Sequence, residues 1–534
     1  MPRAGRWWLA PALAGALIAV VAPAQDATGA ERVLHVAREA SDDAGDGSEA
    51  TPFRTLTRAL RAVQAERDAP GGAAGRWRVQ AGAGTYDAAA GESFPLPLPG
   101  GVTLQGAGAG VTIVAGPAAT LVESRLSSGE AAVLARLTLQ GAGGERGLLA
   151  RHVGQGAPGA STIVRDVALQ AFAEGLRVEG PPLLDGAVTA ELLAELSGLR
   201  VTDCGLGAVL AGPLPVAAVV RDSAFTACGV GLLIDAPTAA GPAAHETSIA
   251  RSLFESCREA GVRLAGGRPD DAPRAFTDCD FVGNDTGLDL PVPAADAPLR
   301  LQRCRFLRNT SFGLRASGQR GDPARATLVE DGQFRWNGVG VHVTNVQAAW
   351  DLSRCRIEDS TGVGLFVANF TAEPVALRLR DSLVARNGAA GLYFLADGRR
   401  LDVQVVHCTL ADNAGAGVER KHRHAGTSRF LLAGCVVAGN AQDLVRVEAA
   451  EVQGCLVGDG APGDAAAGNL AGDPGFLDRD ARDWRLRAGS PALDRGEEAW
   501  PEGAARAGER DVRGGVRRAG PIDLGAFERQ AGEP

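Results

Sequence analysis

From Phe172 to Asn440 one short pattern returns about every 27 residues: a large apolar residue, two variable positions, a corner residue, then glycine and alternating aliphatics. The corner column reads Phe172, Cys204, Cys228, Cys257, Asn284, Asn309, Asn337, Ser360, Asn387, Asn413, Asn440. A fixed period of this length means one supersecondary unit per repeat, which buries its apolar face only by stacking on its neighbours.

Within a unit, segments such as Cys304-Arg305-Phe306 and Gly340-Val341-His342-Val343 alternate with period two, the signature of strands. Gly287, Gly313, Gly340, Gly364, Gly391 and Gly417 follow the corner, where the chain is expected to turn free of a Cβ clash. Asparagine at the corner is expected to take the left-handed bend. Its side-chain amide would then bond to the next coil. A leucine-rich repeat competes, since Leu301 to Asn309 and Val405 to Asn413 also fit its consensus. It would continue into helix or extended turn, whereas this chain returns to Gly-aliphatic alternation. The expected fold is therefore all-β, a single-stranded right-handed parallel β-helix with a short N-terminal helix cap and an irregular C-terminal cap.

Residues 1–24 read as a signal peptide, with Arg3 and Arg6 before an apolar run and Ala22-Pro23-Ala24 as a small-residue cleavage site. Residues 25–75 are expected to form an N-terminal cap, with an amphipathic helix from about Arg54 to Ala65 that is apolar at Leu56, Ala59, Leu60 and Val63. Residues 76–470 would be the β-helix and 471–534 a capping tail. No later segment is long and apolar enough to span a membrane. The expected location is secreted, periplasmic or cell-surface. The sequence does not set an oligomeric state.

Because in-register parallel stacking turns each sequence column into a physical stripe, the columns can be read one at a time. All nine cysteines fall in two columns and are expected to be buried thiols rather than disulfides. One outward column alternates in sign, Asp222, Arg251, Asp278, Arg303, Asp331, Arg354, Asp381, His407, as an exposed ladder of stacked charges requires. A second outward column, Arg263, Asp289, Arg315, His342, Phe366, Tyr393, Glu419, mixes charge with aromatic rings. Rings pack on the apolar face of a pyranose, and arginine holds carboxylates through two parallel hydrogen bonds, so this column is the candidate sugar-binding face. A mixed solvated face with Asp289 neutralised by Arg263 and Arg315 is the plainer alternative. Just beyond it, Arg420, Lys421, His422, Arg423 and His424 form the densest basic run, containing the chain's single lysine. This run reads as a loop tip or as a contact for an anionic polymer. With a net charge of −9 the chain shows no nucleic-acid signature.

The repeats resemble those of pectate-lyase-like right-handed parallel β-helix proteins. SDDAGDGSEATPFRTLTRALRAVQ, with GTYDAAAGESFPLPLPGGVTLQGAG after it, resembles the N-terminal module of bacterial exported β-helix proteins of unassigned function. DPGFLDRDARDWRLRAGSPALDRG, followed by RDVRGG and IDLGAFE, resembles the C-terminal tail of surface-anchored members of that group. The resemblance implies an exported protein that binds, or acts on, acidic uronate-containing polysaccharide along one lateral face. If it is an enzyme, the implied class is a polysaccharide lyase or other carbohydrate-active β-helix enzyme, with His342 or Tyr393 as base and Arg315 neutralising the substrate carboxylate. Arg263, Asp289, Phe366, Glu419 and the Arg420 to His424 run would bind substrate. The sequence has no Gly-His-Gly, Asp-Pro-His-Asp or Arg-x-Pro-x-x-Arg motif; Arg268 to Arg274, RPDDAPR, resembles the last only superficially and reads as a loop. No metal site is assigned and no cofactor is required. Ca2+ has candidate ligands in Asp42, Asp43 and Asp46, whose turn-forming role explains them equally well. The competing expectation is a non-catalytic envelope or adhesion rod.

Overall fold

The computed structural model describes residues 31–69, 75–127, 129–153, 160–180, 192–211, 216–236, 247–266, 274–291, 299–318, 326–346, 349–371, 374–396, 400–422, 429–460, 467–496, 508–517 and 520–533. The signal-peptide segment, most of the loop at 268–274, and the side chains of His422, Arg423 and His424 lie outside the described residues.

Each coil runs through three strands in turn, and equivalent strands of successive coils pair in parallel. Among the described residues this gives a first sheet of 16 strands, a second of 16 short strands and a third of 14. In one coil these are Thr327–Glu330, Gln333–Arg335 and Val339–Thr344. Parallel strands with short crossovers wind right-handed, giving a right-handed parallel β-helix. The inward residues of all three sheets form one continuous core. Inside it Phe225, Phe254, Phe281, Phe306 and Phe334 stack face to face, with centroids 4.5 to 5.2 Å apart.

The asparagine corners pile as expected. Asn309 donates from its backbone N–H (3.0 Å) and Nδ2 (2.9 Å) to Asn337 Oδ1, and Nδ2 also donates to the Phe281 carbonyl at 3.1 Å. The same bonds link Asn284 to Asn309, Asn387 to Asn413 and Asn413 to Asn440. The left-handed bend, however, falls one residue earlier than expected. Gly283, Arg308, Trp336, Asp359, Arg386, Asp412 and Gly439 have φ from +55° to +77°. The asparagine itself turns inward, where its amide replaces hydrogen bonds that the corner backbone would otherwise lack. The glycine column is also explained differently. Its members are absent from the left-handed region, but a Cβ on Gly313 would lie 2.6 Å from the Gly340 carbonyl oxygen, and one on Gly340 2.6 Å from that of Gly364. Glycine is needed there for close approach between coils, not for the turn.

The alternating charge column occupies the turn between the first and second sheets, with φ from +47° to +55°. It resolves into pairs: Arg251 on Asp222, Arg303 on Asp278 and Arg354 on Asp331, each through two hydrogen bonds of 2.7 to 3.0 Å. Its last two members are not exposed. Asp381 and His407 are fully buried, because the chain after residue 471 folds back along the side of the helix and covers them.

At the N-terminal end the helix Leu56–Asp68 buries Leu56, Ala59, Leu60 and Val63 against the first coil. Its start is held by two carboxylates. Asp42 accepts from Arg54 N, Thr55 N and Thr55 Oγ1, while buried Glu92 accepts from Leu56 N, Thr57 N and Thr57 Oγ1. Both anions sit at the positive end of the helix dipole. All nine cysteines are buried free thiols.

The C-terminal segment packs laterally. A hairpin of Phe476–Asp478 and Asp483–Leu486, with Leu524, Ala526 and Phe527, covers an apolar outer face of the second sheet made by Leu383, Ala385, Ala411, Val436, Ala438 and Leu456. Arg479 and Trp484 Nε1 bind Asp412, Arg482 binds Asp359, and Arg517 binds Asp381.

Candidate functional site

The outward face of the third sheet carries the mixed column in strict register: Arg263 beside Asp289, then Arg315, His342, Phe366, Tyr393 and Glu419 on consecutive strands. The sequence column is therefore one file of side chains, spaced by the inter-strand distance.

Its N-terminal half is a closed charge cluster. Asp289, with 1% of its side chain exposed, lies between two guanidinium groups: Arg263 Nε at 3.1 Å, and Arg315 Nε and Nη2 at 2.8 and 2.9 Å. Arg263 also meets Glu259 at 3.1 Å. Arg315 thus spends its fork on Asp289. Its guanidinium carbon also lies 5.6 Å from the ring of Phe312, which occupies the adjoining outward position.

The C-terminal half is aromatic. The His342 ring lies parallel to Phe366 at 4.8 Å, Phe366 is near-parallel to Tyr393 at 5.3 Å, and Phe312 tilts against His342 at 5.0 Å. The rings stand on edge, face against face. Sugar stacking on the inner ring faces is therefore blocked, and what reaches the surface is a ribbon of ring edges. Tyr393 ends the stack, and Lys421 Nζ lies 5.5 Å over its ring and 3.9 Å from Glu419. His342 is held neutral. Burial, with Arg315 adding to it, lowers its pKa to about 4, and Nδ1 is enclosed.

Where the sequence suggested a loop, the strand Ala416–His422 continues through Arg420. Arg420 points inward, buried, bound to Glu451 and stacked over Phe430 at 4.8 Å. Lys421 is on the outer face. Of the N-terminal acids, Asp42 serves the helix start, and Asp46 accepts from Ser48 N and Thr51 Oγ1, which hold its carboxyl down to about 2. Among the described residues no cluster of His, Cys, Asp and Glu has the makings of a metal site. No helix among them is long and apolar enough to cross a membrane.

Sequence reasoning passed over Trp336. It occupies the left-handed corner between the second and third sheets, 38% exposed, while Trp77, Trp350 and Trp484 are buried. The signal was available, since Trp336 directly precedes a corner asparagine.

Residues 40–144 match a protein-family model described as a protein of unknown function (DUF1565). That stretch includes most of the N-terminal module whose resemblance to exported β-helix proteins was noted above. No curated protein matches the chain. Among solved structures, the A-module of a mannuronan C-5 epimerase from Azotobacter vinelandii is similar at 17% identity, covering 74% of this chain and 99% of its own, with a TM-score of 0.39. The catalytic domain of a GH87 α-1,3-glucanase is similar at 12% identity, covering 79% and 71%, with a TM-score of 0.43. A pectate lyase, Pel9A, is similar at 12% identity, covering 93% and 96%, with a TM-score of 0.28.

Proposed function

We propose that this is an exported β-helix protein that binds polysaccharide along the outer face of its third sheet. The observation that carries this reading is the unbroken file of Phe312, His342, Phe366 and Tyr393, which presents an apolar edge bordered by polar groups. A sugar chain has the same mixed character, with C–H faces and a hydroxyl rim, so it fits such a ribbon better than a purely apolar or purely charged partner does. Tyr393 and Lys421 close one end, offering a phenol and the ammonium of the chain's single lysine to sugar hydroxyls or a uronate carboxylate.

The geometry favours binding over lyase chemistry at this face. A base with a pKa of about 4 lies far below neutral pH and removes a proton from carbon poorly. Arg315, the group assigned to neutralise a substrate carboxylate, is already neutralising Asp289. In affinity gels containing neutral and uronate polysaccharides, the protein should be retarded, and Tyr393→Ala and Phe366→Ala should lose most of that retardation while retaining their unfolding temperature. Equal mobility of wild type and both variants in every polymer would overturn this reading.

A further inference from the structure

The geometry points to a second, separate site: an anion-binding ridge at the corner between the second and third sheets, centred on Trp336, that takes carboxylated or sulfated sugars. The inference goes beyond the third-sheet reading and shares no side chain with it.

Three observations carry it. The first is the exposed indole itself. At the equivalent corner of other coils stand Gly283, Arg308, Asp359, Arg386, Asp412 and Gly439, all small or polar. Trp336 puts the bulkiest side chain on a backbone at φ +58°, which is strained for any residue with a large side chain. With 38% of its surface still exposed, the ring recovers only part of what full burial would give against that strain.

The second observation is what surrounds the ring. The guanidinium carbons of Arg335 and Arg308 lie 4.4 and 5.1 Å from the indole centroid. Stacking of this kind fixes a guanidinium while leaving its N–H edge free for two parallel bonds to a carboxylate or sulfate. Arg308 has no ion pair among the described residues. The indole thus preorganises, in Arg308, a cation with no carboxylate partner among the described residues, while Arg335 reaches Glu358 and Asp359.

The third is the charge of the neighbourhood. Arg335, Arg386 and, from the C-terminal segment, Arg482 converge on one carboxylate, Asp359. Adjacent Glu358 is buried and already held by Arg356. On either side the charges cancel, Arg305 on Asp280 and Arg479 on Asp412. In a chain of net charge −9, the Trp336 ridge thus carries a local excess of guanidinium. From Arg308 to Arg386 it spans four coils, three inter-strand spacings or roughly 14 Å, the length of about three sugar residues.

The test uses the full chain in affinity gels with polygalacturonate, dextran sulfate or uncharged dextran, and with a single-stranded oligonucleotide as competitor. Arg308→Ala and Trp336→Gly are the variants. The second places at this corner the residue that Gly283 and Gly439 supply in other coils, so it should fold at least as well as wild type. Expected is salt-sensitive retardation by one or both charged polymers in excess of any by dextran, that excess weakened about fivefold or more in each variant at an unchanged unfolding temperature. Which charged polymer is bound separates carboxylate from sulfate. In a Tyr393→Ala background, which removes the third-sheet contribution, the remaining salt-sensitive retardation should still be weakened by Arg308→Ala and Trp336→Gly. The proposal fails if neither charged polymer retards the wild type, if both variants match it, or if the oligonucleotide is bound in preference. If Tyr393→Ala alone abolishes binding, the ridge is overturned while the third-sheet reading stands.

Discussion

Arg517 Nε lies 3.2 Å from Asp381 Oδ1, and neither side chain is exposed to solvent. The two atoms are at ion-pair distance but off the hydrogen-bond axis; Asp381 Oδ2 takes its hydrogen bond from Gly508 N at 2.9 Å. Asp381 continues the turn column of the coils, and Arg517 belongs to the C-terminal segment. Burial raises the Asp381 pKa, and Arg517 is the main charge pulling it back. Replacing Arg517 with Met leaves a buried carboxylate without its partner, at a cost of about 3–5 kcal/mol. Chemical unfolding should show that loss, and limited proteolysis should cut after residue 471 faster than in wild type. Asp381→Asn combined with Arg517→Met should recover part of the stability.

The same segment should respond to pH in the direction opposite to most surface acids. Burial pushes the Glu528 carboxyl from its ordinary 4.5 up to about 7. The folded state therefore holds this proton more tightly than the unfolded chain. Its stabilising contribution is complete below about pH 4.5 and is lost as pH rises through about 7. Glu528→Gln fixes the neutral form, so it should raise the unfolding temperature at pH 8 and leave it nearly unchanged at pH 4.5. A variant that tracks wild type at both values would show that Glu528 is not the group responsible.

The asparagine file should be costly to interrupt. In Asn309→Ala, Asn284 loses the acceptor of its N–H and Nδ2, Phe281 O loses its donor, and Asn337 Oδ1 keeps the backbone N–H of residue 309 but loses the Nδ2 donor. At ~1–3 kcal/mol for each buried group left unmade, a destabilisation above about 3 kcal/mol is expected in denaturant titration.

Asp289 decides whether the third-sheet face carries free positive charge. Asp289→Asn releases Arg263 and Arg315 from their shared carboxylate. The variant should unfold at lower temperature and show stronger salt-dependent retention on polyuronate than the wild type. Unchanged retention would mean that Glu259 suffices to screen the arginine pair.

Much of this was legible in the chain because stacking converts sequence columns into files: the pairing of Arg315 with His342 and Phe366 with Tyr393 follows from the repeat alone. Two things were harder. The position of the left-handed residue was assigned to asparagine on propensity, whereas the coil uses asparagine inward and places whatever precedes it, even Trp336, in the strained conformation. The docking of the C-terminal segment is a contact between distant parts of the chain, which no local period encodes. It did leave a trace. From Leu383 onward the outward column that carries Arg305, Gln333 and Arg356 in earlier coils turns to Leu383, Thr409 and Val436, without charge or amide, as suits a sheet covered on both faces. The ring file was read correctly as a column, but the rings' face-to-face orientation required coordinates.

Arg482, Asp359 and the apolar seam between them mean that the far end of the chain is fastened to coils well inside the rod. A pull on that end would load several rungs together in shear, rather than unwinding the final turn like thread from a spool. The rod should therefore resist tension and exopeptidase trimming from that side better than its last strands alone would allow.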